Sequence, residues 1–202
     1  MSVKISVYSD YVCPYCFLAE FPLQQAAESR DVEIEWMPFE LRPAPAETLR
    51  PEGEYLQRVW TESVYPLARQ LNVPIVLPKV SPQPHTHLAF EGYQFAKQQG
   101  RAIQYNARVL RAFFQEEQNI GEIDVLTGLA DDVGLEAADF KRALEERCYR
   151  QVHQKALQHA IYEMQISSVP TFIIGEHVIP GIVGQELLER AIDMTARDQA
   201  NQ

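Results

Sequence analysis

Two cysteines three residues apart, Cys13 and Cys16, stand where a strand-like stretch gives way to a helix-like one. This commits the start of the chain to a strand-turn-helix unit with two thiols at its turn. Residues 3 to 9 alternate Val3, Ile5 and Val7 with Lys4 and Ser6, which is one buried face at period two. Pro14 suits the first helical position, and Phe17, Leu18, Phe21, Ala26 and Ala27 carry the helix to about Ser29, with a kink expected at Pro22, which has no amide to offer the Leu18 carbonyl. Val32 to Met37 alternates again as a second strand. Strand, helix, strand in so short a span is a right-handed crossover with a parallel pair.

The spacing alone is shared by redox pairs, zinc sites and chance placements on a helix. A zinc site needs two further ligands, and the chain holds no second Cys-x-x-Cys and only one other cysteine, Cys148. That favours the redox reading. With 202 residues, 46% hydrophobic and 23% charged, the chain can bury a substantial core. Its formal net charge of −10 argues against a nucleic-acid partner, which needs clustered Lys and Arg. No apolar run approaches the roughly 18 residues of a membrane span. Met1-Ser2-Val3-Lys4-Ile5 runs straight into strand alternation without the pattern of a secretory signal, so the expected location is the cytoplasm. In that reducing compartment a Cys-x-x-Cys is catalytic or metal-binding in preference to a structural bridge.

Leu41-Arg42-Pro43-Ala44-Pro45 breaks the pattern, and a helical texture follows. Helical spacing runs over 52–71 with an interruption at Pro66, a Pro-rich loop comes next, and further helices lead to Gly100, to Phe114 and, capped by Asp124, to Gly134. One long helix is expected from Ala137 to Met164. Thr171 to Ile174 and His177 to Ile179 form a hairpin across Gly175-Glu176, and a last helix carries Leu187, Leu188, Ala191 and Ile192, with a fraying tail after Arg197. This order predicts an α/β chain, a thioredoxin fold with a large all-helical domain inserted after the second strand. The expected boundaries are 1–44 and 146–202 for the thioredoxin-like domain and 45–145 for the insert.

Ser9-Asp10-x-x-Cys13-Pro14-x-Cys16 at the first strand-helix turn, with Ser168-Val169-Pro170-Thr171-Phe172 opening the late hairpin, resembles the DsbA-like oxidoreductase family and in particular its cytoplasmic FrnE-type members. The likeness spans nearly the whole chain. At the N-cap, the Cys13 sulfur would face the amides of Tyr15 and Cys16 and the positive end of the helix dipole, which stabilises a thiolate. Cys13 is then the attacking thiol and Cys16, more buried, the resolving one. The resemblance implies that Val169-Pro170 is a cis-proline turn against the thiols, with Val169 backbone groups pairing with an extended substrate. The residues alone read Pro170 as an ordinary strand-entry proline. The expected catalytic set is Cys13, Cys16 and Pro170, with Tyr11, Pro14, Tyr15 and Val169 bordering the substrate.

The implied activity is thiol-disulfide exchange on a disulfide- or dithiol-containing substrate, a peptide among the candidates. No metal or bound cofactor is expected, and glutathione enters as reductant or co-substrate. A monomer or a homodimer fits. Pro-Tyr is also the central pair of glutaredoxins, whose potentials lie at about −200 to −230 mV. FrnE-type members often carry Trp where this chain has Tyr15. Two rivals remain: a glutathione-dependent isomerase or transferase of the hydroxychromene-carboxylate or kappa type, which resembles this chain but uses serine at the position of Cys13, and a non-catalytic protein that binds ligands in the interdomain cleft. His85 and His87 read as a solvated helix start, Cys148 as a structural or semi-exposed thiol, Glu40 and Arg42 as a surface pair, and the aromatics of the insert as core, with Trp60, Phe90 and Tyr93 as groove-lining exceptions.

Overall fold

The computed structural model describes residues 2–200. β1 (Val3–Ser9) and β2 (Val32–Pro38) pair in parallel, Val3 opposite Val32, and α1 (Pro14–Ala27) makes the crossover between them. β3 (Thr171–Ile174) runs antiparallel on the other side of β1, with Tyr8 opposite Thr171, and the hairpin adds β4 (His177–Pro180), so the order is β2-β1-β3-β4. Gly175 in the hairpin turn has φ +57°, and a Cβ there would come within 2.7 Å of Thr195 Oγ1; the turn needs glycine on both counts.

Alternation in β1 sends Val3, Ile5 and Val7 into one core with Leu18 and Leu23 of α1 and Leu188 and Ile192 of α9 (Gln185–Ala200). Tyr8 faces a smaller cluster with Ala160 and Ile166. The large core is continuous with the insert, reaching Trp60, Phe113, Phe114 and Phe140. α2 (Glu54–Val59) passes through a π-helical turn at Trp60–Val64 into α3 (Tyr65–Gln70), the Tyr65 amide bonding back to the Trp60 carbonyl. The wider turn accommodates Pro66, which can donate no helix bond. α4 (His87–Gln98) covers the free edge of β2, where Trp36 N–H donates to Tyr93 Oη at 3.2 Å.

α4 also packs against α5 (Ala102–Phe114), α6 (Ile123–Asp132) and α7 (Ala137–Glu145). Gly92 is the close point. A Cβ there would lie 2.2 Å from Tyr105 Oη and 2.6 Å from Phe140 Cζ, so Gly92→Ala is expected to overpack the insert by about 1–3 kcal/mol. A thermal melt would read this as a loss of several degrees, and an unchanged midpoint would contradict the packing.

Three local expectations are corrected. The long helix from Ala137 to Met164 is two: α7 ends at Glu145, Arg147 turns left-handed at φ +55°, and α8 (Arg150–Gln158) restarts and closes in a second π-helical turn at His159–Glu163. The break is held because the Cys148 amide bonds the Ala143 carbonyl and the Arg147 guanidinium forks onto Glu91, which is fully buried. Asp124 is inside the first turn of α6, bonded to Lys141, while Glu122 holds the cap position. The tail is helical past Arg197 to Ala200, and its last two residues, 201 and 202, lie outside the described residues.

Candidate active site

The strand-helix turn places Cys13 at the N-cap of α1 with extended backbone (φ −90°, ψ 110°) and Pro14 at the first helical position. The Cys13 side chain does not cap the helix. The Cys16 and Phe17 amides bond to the Cys13 carbonyl instead, at 3.0 and 3.3 Å, and the Cys13 thiol donates to the Val169 carbonyl at 3.7 Å. A protonated thiol is a donor, and with the Cys16 amide already bonded a carbonyl is its better partner. The Val169–Pro170 peptide is cis, and Pro170 is buried behind Val169. Two segments 156 residues apart in sequence therefore meet at one sulfur.

Cys13 and Val169 border a cleft of about 210 Å³ whose far wall comes from the insert: Leu49, Leu56, Val59 and Trp60. Pro14 and Tyr15 line it too, and Tyr15 Oη donates to Ser63 Oγ at 2.8 Å, bracing the turn against the π-helical turn that carries Trp60. Cys16 does not reach the cleft and is fully buried. Burial pushes its thiol well up, reinforced by the neighbouring Cys13, while the Asp10 amide and the Ser9 hydroxyl act the other way.

Tyr11 and Pro170 are not among the cleft's walls. Tyr11 points into the core, its ring 4.7 Å from that of Phe90, because the turn presents its neighbours Asp10 and Val12 to the cleft instead. Of the three aromatic exceptions only Trp60 lines the groove. Phe90 stacks on His153 as well, and the Tyr93 hydroxyl is used by β2.

Four buried titratable groups lie near this turn: Asp10, Glu20, Glu40 and His153. Glu40 does not pair with Arg42 at the surface; it is buried and takes the His153 Nε2–H at 2.6 Å. Asp10 is 1% exposed, its Oδ2 accepting from the Leu41 amide at 2.7 Å and its Oδ1 without a hydrogen-bond partner. Burial first, and Glu40 nearby, raise its pKa to about 6 against the pull of the Leu41 and Val12 amides and Thr86. Glu20, one turn beyond Cys16 on α1, accepts from Asn106 at 3.1 Å and is pushed by burial up to about 8. Periodicity could mark the positions of Asp10 and Glu20 on their elements but not what packs over them. His85 and His87 are half-buried at the start of α4, and Cys148 is exposed.

Glu20 carries a pH signature. Its folded value lies above the ordinary 4.5, so between about pH 4.5 and 8 the folded state holds a proton that the unfolded state has lost, and stability falls as pH rises through that window. Glu20→Gln removes the part of the slope that Glu20 contributes. Urea midpoints at pH 5 and pH 8 should therefore differ less in Glu20→Gln than in the wild type, and an equal difference would refute a buried, protonated Glu20.

A family model described as DSBA-like thioredoxin domain matches residues 4–193. The protein YwbO of Bacillus subtilis (strain 168) is 53% identical over 193 residues, which cover 95% of this chain and 96% of that one. Two solved structures share the fold. A probable DsbA oxidoreductase from Streptomyces coelicolor superposes with a TM-score of 0.83 at 19% identity, covering 96% of this chain and 90% of its own. A 2-hydroxychromene-2-carboxylate isomerase does so with a TM-score of 0.78 at 17% identity, covering 98% of each chain. No helix among the described residues is long and apolar enough to cross a membrane.

Proposed function

The chain belongs to the DSBA-like thioredoxin domain family, and on that premise we propose that it is a thiol-disulfide oxidoreductase working through Cys13 and Cys16, a cytoplasmic member of the FrnE type. The observation that carries the reading is the inequality of the two thiols: Cys13 borders the cleft and Cys16 is buried off it. The Cys13 thiolate attacks one sulfur of a substrate disulfide, forming a mixed disulfide and releasing the other half as a thiol. Cys16, after losing its proton, attacks the Cys13 sulfur, the Cys13–Cys16 bond forms, and the second half leaves. Two electrons pass from the dithiol to the substrate. The reverse sequence oxidises a dithiol.

Val169 supports the same reading, since its carbonyl sits at the Cys13 sulfur where an extended substrate would find backbone partners. Glutathione is the proposed reductant that returns the enzyme to its dithiol form. The rival glutathione-dependent isomerase shares the fold, but the members of that class use serine where this chain has Cys13. Cys16→Ala decides between attack and coincidence. With its resolving thiol gone, the protein should accumulate a mixed disulfide on Cys13, seen as an added half-substrate mass that dithiothreitol removes; an unmodified Cys13 after exposure to a disulfide would defeat the mechanism.

A further inference from the structure

Among the described residues one cation lines the cleft beside Cys13, and it is Arg42. Its guanidinium is left without an acid. Glu40, two residues before it, is turned inward to His153, and the Arg42 Nη1 makes only a long bond, 3.4 Å, to the Glu47 carbonyl. A guanidinium has five N–H donors, so most of these remain open to a ligand. The backbone that carries Arg42 is nevertheless tied to the cysteine turn. Asp10 Oδ2 accepts the Leu41 amide at 2.7 Å, and His85 Nδ1 donates to the Arg42 carbonyl at 3.0 Å. Asp10 itself offers the cleft no competing anion: it is 1% exposed, with Oδ2 bonded and Oδ1 almost without accessible surface. Facing Arg42 across the opening, Leu56, Val59 and Trp60 are apolar, and the cleft of about 210 Å³ falls below the roughly 300–1,000 Å³ of drug-sized sites. Such a space suits a short half-disulfide.

We propose that the cleft favours low-molecular-weight disulfides that carry a carboxylate a few bonds from the sulfur, with Arg42 binding the carboxylate while Cys13 attacks. This rests on the dithiol reading above and names its substrate class. The planar fork of arginine matches the two oxygens of a carboxylate, and the apolar wall accommodates the methylenes between carboxylate and sulfur. The chain's net charge of −10 acts the other way at long range, so a preference for an anion has to arise locally, at Arg42. The exchange balances as written for any disulfide: the Cys13 thiolate attacks one sulfur, the first carboxylate-bearing half leaves as a thiol, and Cys16, after losing its proton, bonds to Cys13 and releases the second half. Two electrons pass from the dithiol to the substrate, and dithiothreitol restores the dithiol in the assay.

Three disulfides of similar size separate the charge from the sulfur chemistry: 3,3′-dithiodipropionate, bis(2-hydroxyethyl) disulfide and cystamine, with each kcat/KM divided by the rate constant of the uncatalysed exchange with dithiothreitol. At low salt, about 50 mM, the wild type should favour dithiodipropionate over the hydroxyethyl compound by about fivefold, the upper range for an exposed ion pair, and cystamine should be poorest. In Arg42→Met the advantage should shrink to within about twofold, and in Arg42→Glu cystamine should lead. A ratio near unity or cystamine leading in the wild type, or an unchanged order in folded Arg42→Met and Arg42→Glu, would overturn the proposal while leaving the disulfide activity standing; the wild-type order decides even if neither variant folds. Absence of activity on all three would refute the dithiol reading, and the anion site would then be judged by titrating 3-(methylthio)propionate into the Cys13→Ser/Cys16→Ser protein. Saturable binding that is lost on adding Arg42→Met supports the site; no binding, or binding that survives Arg42→Met, overturns it.

Discussion

Cys13→Ser is expected to bring disulfide reduction down to the uncatalysed rate, a fall of roughly 10³-fold or more, because the only cleft-facing sulfur among the described residues is gone and a hydroxyl can neither form the mixed disulfide nor accept the resolving bond. Cys16 cannot substitute. It is fully buried, its thiol is held well above the ordinary value, and it has no path to a substrate in the cleft. Initial rates with a model disulfide and dithiothreitol check this, and wild-type turnover by Cys13→Ser would sink the oxidoreductase assignment. The same variants sort the rivals. Glutathione-dependent turnover of an electrophile that survived Cys16→Ala would favour the isomerase and transferase class, and aggregation suppression equal with neither cysteine would favour a binding protein.

The largest effect on stability is expected away from the thiols, at Arg147→Met. Glu91 on α4 has no exposed side-chain surface, and the Arg147 guanidinium donates to both its oxygens from the left-handed break between α7 and α8, with Nη2 at 2.6 Å from Oε1 and Nε at 3.0 Å from Oε2. Removing the arginine strands a buried carboxylate, for which about 3–5 kcal/mol is usual. Arg147 keeps about a third of its own exposure, so the low end, about 3 kcal/mol, is the expectation, equivalent to roughly 6–12 °C in melting temperature for a chain of this size. The double variant Glu91→Leu/Arg147→Met should recover most of that loss, since it removes both charges together. A single variant that melted with the wild type would show that the pair does not hold the break.

Much of the fold was legible because each signal was local. Alternation in Val3-Ile5-Val7 and in Val32 to Met37, Pro14 beside the cysteines, and Gly175 between two apolar runs each determine a backbone choice within a few residues. The two break points near Pro66 and Arg147 were less so. A π-helical turn absorbed the first without ending the helical path, and the second has no helix breaker in its own sequence; a left-handed arginine is tolerated there only because Glu91, 56 residues away, needs its charge.

The pair Cys13 and Cys16 and their place at a strand-helix turn were determined by sequence alone, since spacing and a first-turn proline are properties of adjacent residues. Which thiol borders the cleft, and what lies beside it, only the tertiary structure decided. Tyr11 and Asp10 are neighbours in the same motif, yet packing turned one into the core against Phe90 and left the other on the cleft wall with an unpaired oxygen. Glu40, two residues before an exposed arginine in sequence, became a buried partner of His153 because the chain brought α8 back under β2. Burial and charge pairing are sums over segments far apart along the chain, so no window of sequence contains them.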